Sequence, residues 1–205
     1  MQDYLFIGDV HSQDVPFKEA LGYAFRQKLT PVLLGDVFDS RCEHDGTLEV
    51  FRIIQDLRED ILWVQSNHQL SLLAYLRGEL NPIPWECLQR TVNQLCPKYN
   101  IGVRELLERL PHGLILTASN GREYRVAHAS YPANGDRDRM VHGPINMEEQ
   151  YSRPAVQVVG HHHCVVPRLD WGLLMLDGSC GDPGGFLVTF DTRKEKMIVC
   201  PTQTS

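Results

Sequence analysis

The chain lacks a long apolar run, a basic cluster and a closely spaced cysteine pair. No window approaches the about 20 apolar residues that a membrane-spanning helix needs, so no membrane role is expected. Without a basic run, and with a net charge of -6, the chain is unsuited to general nucleic-acid binding. The six cysteines (Cys42, Cys87, Cys96, Cys164, Cys180 and Cys200) are scattered, with no Cys-x-x-Cys spacing. Met1-Gln2-Asp3-Tyr4 carries no basic segment ahead of an apolar one, so no signal peptide is expected. Together these features predict reduced thiols in a cytoplasmic protein. There is no internal repeat and no low-complexity segment.

What is present suits one globular domain: 205 residues, 42% of them hydrophobic and 22% charged. The first part alternates short apolar runs with segments of helical period. Val15 to Gln27 carries Phe17, Ala20, Leu21 and Ala24 on one face, and Thr47 to Leu57 repeats the pattern. Leu70 to Leu76 is a third helix. This alternation predicts parallel βαβ units. Asn81-Pro82-Ile83-Pro84 is a break, and residues 81–111 form a helical, cap-like insertion interrupted at Pro97. Strands follow at Gly113 to Thr117 and Glu123 to Ala127, joined by an Asn120-Gly121 turn. A long polar loop spans Ser130 to Pro154, and the last strands are Leu173 to Leu176, Phe186 to Phe190 and Met197 to Cys200.

Five strings give the chain its chemistry. They are Gly8-Asp9-Val10-His11, Gly35-Asp36-Val37-Phe38-Asp39, Asn67-His68, His128 and Gly160-His161-His162-His163. Apolar runs precede four of them: Tyr4 to Ile7, Pro31 to Leu34, Ile61 to Val64 and Val156 to Val159. An α/β protein places ligands this way, at the carboxyl edge of its sheet. Carboxylate, imidazole and amide oxygens hold divalent ions, and two ions about 3.5–4 Å apart can clamp both oxygens of an in-line phosphoryl displacement. This donor set fits manganese, iron, zinc or nickel better than magnesium or calcium.

Read in order, Asp-x-His, Gly-Asp-x-x-Asp, Asn-His, a lone His and Gly-His-x-His resemble the calcineurin-like metallophosphoesterase superfamily over Tyr4 to Phe190. Asn67-His68-Gln69 with Leu72 to Gly78, and the closing Asp177-Gly178-Ser179-Cys180, are similar to its bacterial phosphoprotein phosphatase and symmetrical diadenosine tetraphosphatase branch. The resemblance implies a layered α-β-β-α sandwich of mixed sheets with a dinuclear metal site at strand carboxyl ends. It implies that Asp9, His11 and His163 hold one ion, that Asn67, His128 and His161 hold the second, and that Asp36 bridges them. The nucleophile would be a hydroxide bridging the ions, His68 the proton donor to the leaving group, and Asp39 the residue that orients His68.

The sequence departs from the family at Ser12, Ala129-Ser130, Ser66, Gln69 and Ser40, with Arg41 one place later than the usual arginine. Arg41 is the first candidate for a phosphate clamp; Arg137, Arg139 and Arg153 are alternatives, and Tyr131 is placed to line the pocket. His44, His112 and His142 read as surface residues, His162 as packing and Cys164 as a small buried residue. Trp85 and Tyr99 could stack on a nucleobase, but filling a small core is the better reading of both. The expected activity is hydrolysis of phosphate monoesters on a phosphoprotein or small metabolite. Dinucleoside polyphosphate cleavage comes second, a phosphodiesterase or nuclease third, and a non-catalytic metal-binding scaffold last. Substrate choice and oligomeric state lie beyond these motifs.

Overall fold

The computed structural model describes residues 2–42, 45–80, 82–83, 85–145, 155–164, 168–170 and 172–202. In chain order its elements are β1 (Tyr4–Ile7), α1 (Asp14–Gln27), β2 (Thr30–Leu33), α2 (Thr47–Asp56), β3 (Leu62–Trp63), α3 (Asn67–Leu76), α4 (Glu86–Glu108), β4 (Gly113–Thr117), β5 (Glu123–Ala127), α5 (Arg137–His142), β6 (Val156–Val159), β7 (Arg168–Asp170), β8 (Leu173–Met175), β9 (Phe186–Asp191) and β10 (Lys196–Pro201). Two five-stranded sheets form, in the orders β10-β9-β1-β2-β3 and β4-β5-β6-β8-β7. In the first, β1, β2 and β3 run parallel; in the second, β5, β6 and β8 do. The remaining strands pair antiparallel, so both sheets are mixed.

The period-2 alternation of β1 builds the layers. Tyr4 and Phe6 point into a core shared with Tyr124, Val126, Val156, Val158 and Leu174 of the second sheet. Leu5 and Ile7 point the other way, into a core filled by Phe17 and Leu21 of α1, Phe51 and Ile54 of α2, Leu72 of α3 and Leu88 of α4. The sheets thus face each other, with long helices on the outer side of the first. On the outer side of the second sheet, the Tyr131 ring and Met140 of α5 lie over Gly113, so this layer is thin among the described residues. No helix among them is long and apolar enough to cross a membrane.

Several elements differ from the sequence expectation. The third helix starts at Asn67 rather than Leu70, because Ser66 caps it by accepting the Gln69 N–H. Helix α4 runs unbroken through Pro97. An interior proline costs a helix about 3 kcal/mol, but Leu88, Val92 and Leu95 before it and Val103 and Leu107 after it are buried in one core, which holds both halves in line. Helix α5 lies inside the segment expected to be a polar loop, with the Asp136 carboxylate accepting the N–H groups of Asp138 and Arg139 as its cap.

Candidate metal centre

The carboxyl ends of the six parallel strands converge. β1 leads into Asp9 and His11, β2 into Asp36 and Asp39, and β3 into Asn67 and His68. From the facing sheet, β5 leads into His128, β6 into His161 and His163, and β8 into Asp177. Asp9, His11, Asp36, Arg41, Asn67, His68, His161, His163 and Asp177 line one cavity of about 90 Å³. His128 is fully buried beside it, with Nε2 3.4 Å from Asp36 Oδ2.

The local backbone is unusual for the residues it carries. His11, Ser12, Asp36, Asp39 and His161 all have positive φ, from 41 to 72°. This region is uncommon for residues with a Cβ, and such strain clusters at functional sites. Main-chain hydrogen bonds hold it. The Asp36 carbonyl accepts the N–H groups of Val10 and His11 at 3.0 and 2.8 Å. The Asp36 N–H in turn donates to Ser66 Oγ and Gln69 Oε1, both at 3.0 Å. Two glycines leave the space. A Cβ on Gly35 would stand 2.7 Å from the His128 ring, and one on Gly160 only 2.0 Å from Asp9 Oδ1.

The donor atoms fall into two groups that share Asp36. Asp9, His11 and Asp36 offer atoms within 4.8 Å of one another, and so do Asp36, His128 and His161. His128 Nδ1 donates to the Leu34 carbonyl at 2.9 Å, which turns Nε2 to the site. There Nε2 lies 2.8 Å from Asn67 Oδ1 and 3.2 Å from His161 Nδ1. His163, expected beside Asp9 and His11, is in neither group: it is exposed at the cavity edge with Nδ1 3.6 Å from Asp177 Oδ2.

The electrostatics fit a divalent cation. Asp9 and Asp36 are almost fully buried, and among the described residues Asp9 Oδ1 and Asp36 Oδ1 have no hydrogen-bond partner. Orphaned buried carboxylate oxygens are costly unless paired or bound to metal. Burial, then the charges of Asp177 and Asp36, pushes the Asp9 carboxyl well above the usual carboxylate range. Burial opposes ionisation of Asp36 too, but His128, His68 and His11 outweigh it and hold that carboxyl well below the range. Burial and the neighbouring His128 push His161 down to about 4, which leaves it at neutral pH as the neutral imidazole, the form able to bind a metal.

Beside these groups sits a dyad. His68 Nδ1 is 2.8 Å from Asp39 Oδ2, and His68 Nε2 is 3.8 Å from Asp36 Oδ2. Burial pulls the His68 imidazolium down, but Asp36 and Asp39 together outweigh it and raise the ring to about 9. With Nδ1 tied to Asp39, Nε2 is the nitrogen free to face the cavity.

Each family departure has a partner. Ser12 Oγ bonds Thr47 Oγ1 at 2.6 Å. Ser40 Oγ accepts from Gln13 Nε2 and the Cys42 N–H. Ser66 and Gln69 hold the Asp36 N–H, and Ser130 Oγ donates to the Arg139 carbonyl. Arg41 lines the cavity mouth, with Nη1 3.4 Å from Asp182 Oδ1. Arg137, Arg139 and Tyr131 do not line this cavity, and Arg153 and His44 lie outside the described residues. His162 Nε2 donates to the Ala129 carbonyl, and the Cys164 thiol donates to the Asp177 carbonyl. His112 is half-buried, and His142 is exposed beside Asp138.

Two residues named in the sequence analysis were not assigned to the site there. Asp177 follows the apolar β8 run as Asp-Gly, the same device as Gly-Asp after β1 and β2, and that signal was present. Trp85, expected to fill a small core, is instead exposed and lies against His68 with ring centres 5.6 Å apart and planes 27° apart. Tyr99 packs on Phe51 in the helical core, in keeping with the packing reading.

No family model and no curated protein matches the chain. Solved structures do match. One described as a "putative diadenosine tetraphosphatase" has a TM-score of 0.75 and 20% identity, covering 100% of this chain and 95% of its own. A metallophosphoesterase from Sphaerobacter thermophilus has a TM-score of 0.62 and 19% identity, over 100% of this chain and 89% of its own. A protein serine/threonine phosphatase from Saccharomyces cerevisiae, with similarity to human phosphatase PP5, has a TM-score of 0.59 and 10% identity, over 100% and 80%. The mixed two-sheet sandwich, the ligand groups at its strand ends and these neighbours agree: the chain has the fold of the calcineurin-like metallophosphoesterases.

Proposed function

We propose that the protein is a two-metal-dependent phosphoesterase acting on phosphate monoesters. One observation carries this reading: the His68–Asp39 dyad opens onto the same cavity as two carboxylate–imidazole groups that share Asp36. Asp9, His11 and His163 would hold one ion and Asn67, His128 and His161 the other, with Asp36 common to both. Two bound divalent ions, manganese first among them, supply the charge that acidifies water and neutralises phosphoryl oxygens.

The chain's own residues do the rest. As a water-derived oxygen bonds to phosphorus and the ester P–O bond breaks, the leaving oxygen takes the electron pair and His68 Nε2 gives it a proton. Asp39 keeps Nδ1 protonated and the ring aimed. Arg41 reaches the phosphate by giving up its long contact with Asp182. All six cysteines are free thiols, which suits a reducing, cytoplasmic setting.

A second reading is cleavage of a dinucleoside polyphosphate, supported by the description of the neighbour at TM-score 0.75. The two separate on a substrate panel with added manganese: p-nitrophenyl phosphate, bis-p-nitrophenyl phosphate and diadenosine tetraphosphate. Faster turnover of the monoester than of either other substrate is the expected result. Dominant turnover of the tetraphosphate would replace the monoesterase reading, and dominant turnover of the diester would move the protein to the phosphodiesterases. Binding of manganese without turnover of any of the three would favour the scaffold.

A further inference from the structure

Trp85 is 43% exposed, an unusual position for the largest apolar side chain. It stands just before α4, and its ring lies near-parallel to that of His68. The next turns of α4 hold this edge in place. Cys87 comes within 4.8 Å of the Asp39 and His68 donor atoms. Arg90 donates from Nη1 to the Cys42 carbonyl at 3.0 Å and from Nη2 to the Ser40 carbonyl at 2.9 Å. The helix that carries Trp85 is therefore pinned to the loop that carries Arg41.

A proton donor must come within about 3 Å of the oxygen it protonates. On the phosphoesterase reading above, on which this inference rests, that oxygen sits at His68 Nε2. Trp85 does not itself line the metal cavity, but its exposed ring stands against His68, which does, so a group attached to that oxygen has the indole beside it. We propose that Trp85 is the leaving-group platform of the site, and that its substrates are phosphate esters whose departing alcohol carries a planar ring, a nucleoside before others. An exposed indole gives such a ring a face to stack on, and a flat base covers more of that face than a ribose alone does.

Adenosine 5′-monophosphate and ribose 5-phosphate test this, because both release a primary alcohol and differ in the base. Stacking of one base corresponds to roughly 10- to 100-fold in kcat/KM. The wild type, loaded with manganese, should favour the nucleotide by about that factor. Trp85→Ala and Trp85→Leu should bring the ratio close to one, mainly through KM for the nucleotide, while Trp85→Phe keeps most of it. The leucine variant retains apolar bulk at the α4 edge, so a loss there reads the ring face and not the packing.

A wild-type ratio near one, or a ratio unchanged in both the alanine and leucine variants, overturns the proposal. So does an equal fall in kcat for both esters, since that is the signature of a residue that only steadies His68. If the wild type hydrolyses neither ester, nor p-nitrophenyl phosphate, the monoesterase reading itself fails and the platform with it. Turnover of p-nitrophenyl phosphate with no preference for the nucleotide fails the platform alone.

Discussion

Asp36→Asn should keep the fold and lose phosphoesterase activity by on the order of 10³-fold or more. A charge that serves two cations is worth several kcal/mol of transition-state stabilisation, and each 1.36 kcal/mol is tenfold in rate. The loss should come with weakened manganese binding, because both donor groups share this residue. The fold should survive because the local structure hangs on the Asp36 backbone and not on its carboxylate. Its carbonyl ties down Val10 and His11, and its N–H is held by Ser66 and Gln69. Asparagine also tolerates the positive φ of 41° found there. Metal content and circular dichroism, read beside p-nitrophenyl phosphate turnover, check this. Full activity in the variant would remove Asp36 from the centre of the site.

His68→Ala should show a different pattern: metal content unchanged, kcat down by about 10²- to 10⁴-fold. The size of the fall should depend on the leaving group. p-Nitrophenolate is stable enough to depart without a proton, so the loss on p-nitrophenyl phosphate should be the smallest. An alkyl phosphate, whose alkoxide needs the proton, should show the largest. Asp39→Asn should act in the same direction but less, on the order of 10- to 100-fold, because it disturbs aim and tautomer while leaving the ring in place. Its φ of 72° suits asparagine as well as aspartate. Rates on a series of esters with leaving groups of graded acidity measure this. Equal losses along the whole series would mean that His68 does not donate the proton.

The convergence that makes up the candidate site was legible because its parts are short, local and repeated. Each apolar run that stops at Asp, Asn or His is a strand end, and the parallel pairing of β1, β2 and β3 and of β5, β6 and β8 brings those ends together. The αβ alternation of the first half was legible for the same reason, since helical and strand periods are both local. The missed features depend on tertiary context. Positive φ at Asp36 and Asp39 leaves no mark in a sequence without glycine at those positions. Pro97 is a helix breaker by rule, and only the shared core on both sides of it overrides that rule. The start of α3 could have been read: Ser66-Asn67-His68-Gln69 has capping-box spacing. Half of that box forms, as Ser66 caps the Gln69 N–H, while the Gln69 side chain turns to Asp36. The contact of Trp85 with His68 joins a residue of α3 to the one just before α4, and nothing in either segment announces it.

The central claim is that the groups meeting at Asp36 hold two ions and that hydrolysis depends on both. Titrating metal-stripped protein with manganese, while following p-nitrophenyl phosphate turnover and bound metal together, tests it most directly. Turnover should be absent at the start, rise as metal is taken up and level off at two ions per chain. Turnover that is complete without added metal, or that reaches its full value with a single bound ion, would contradict the account.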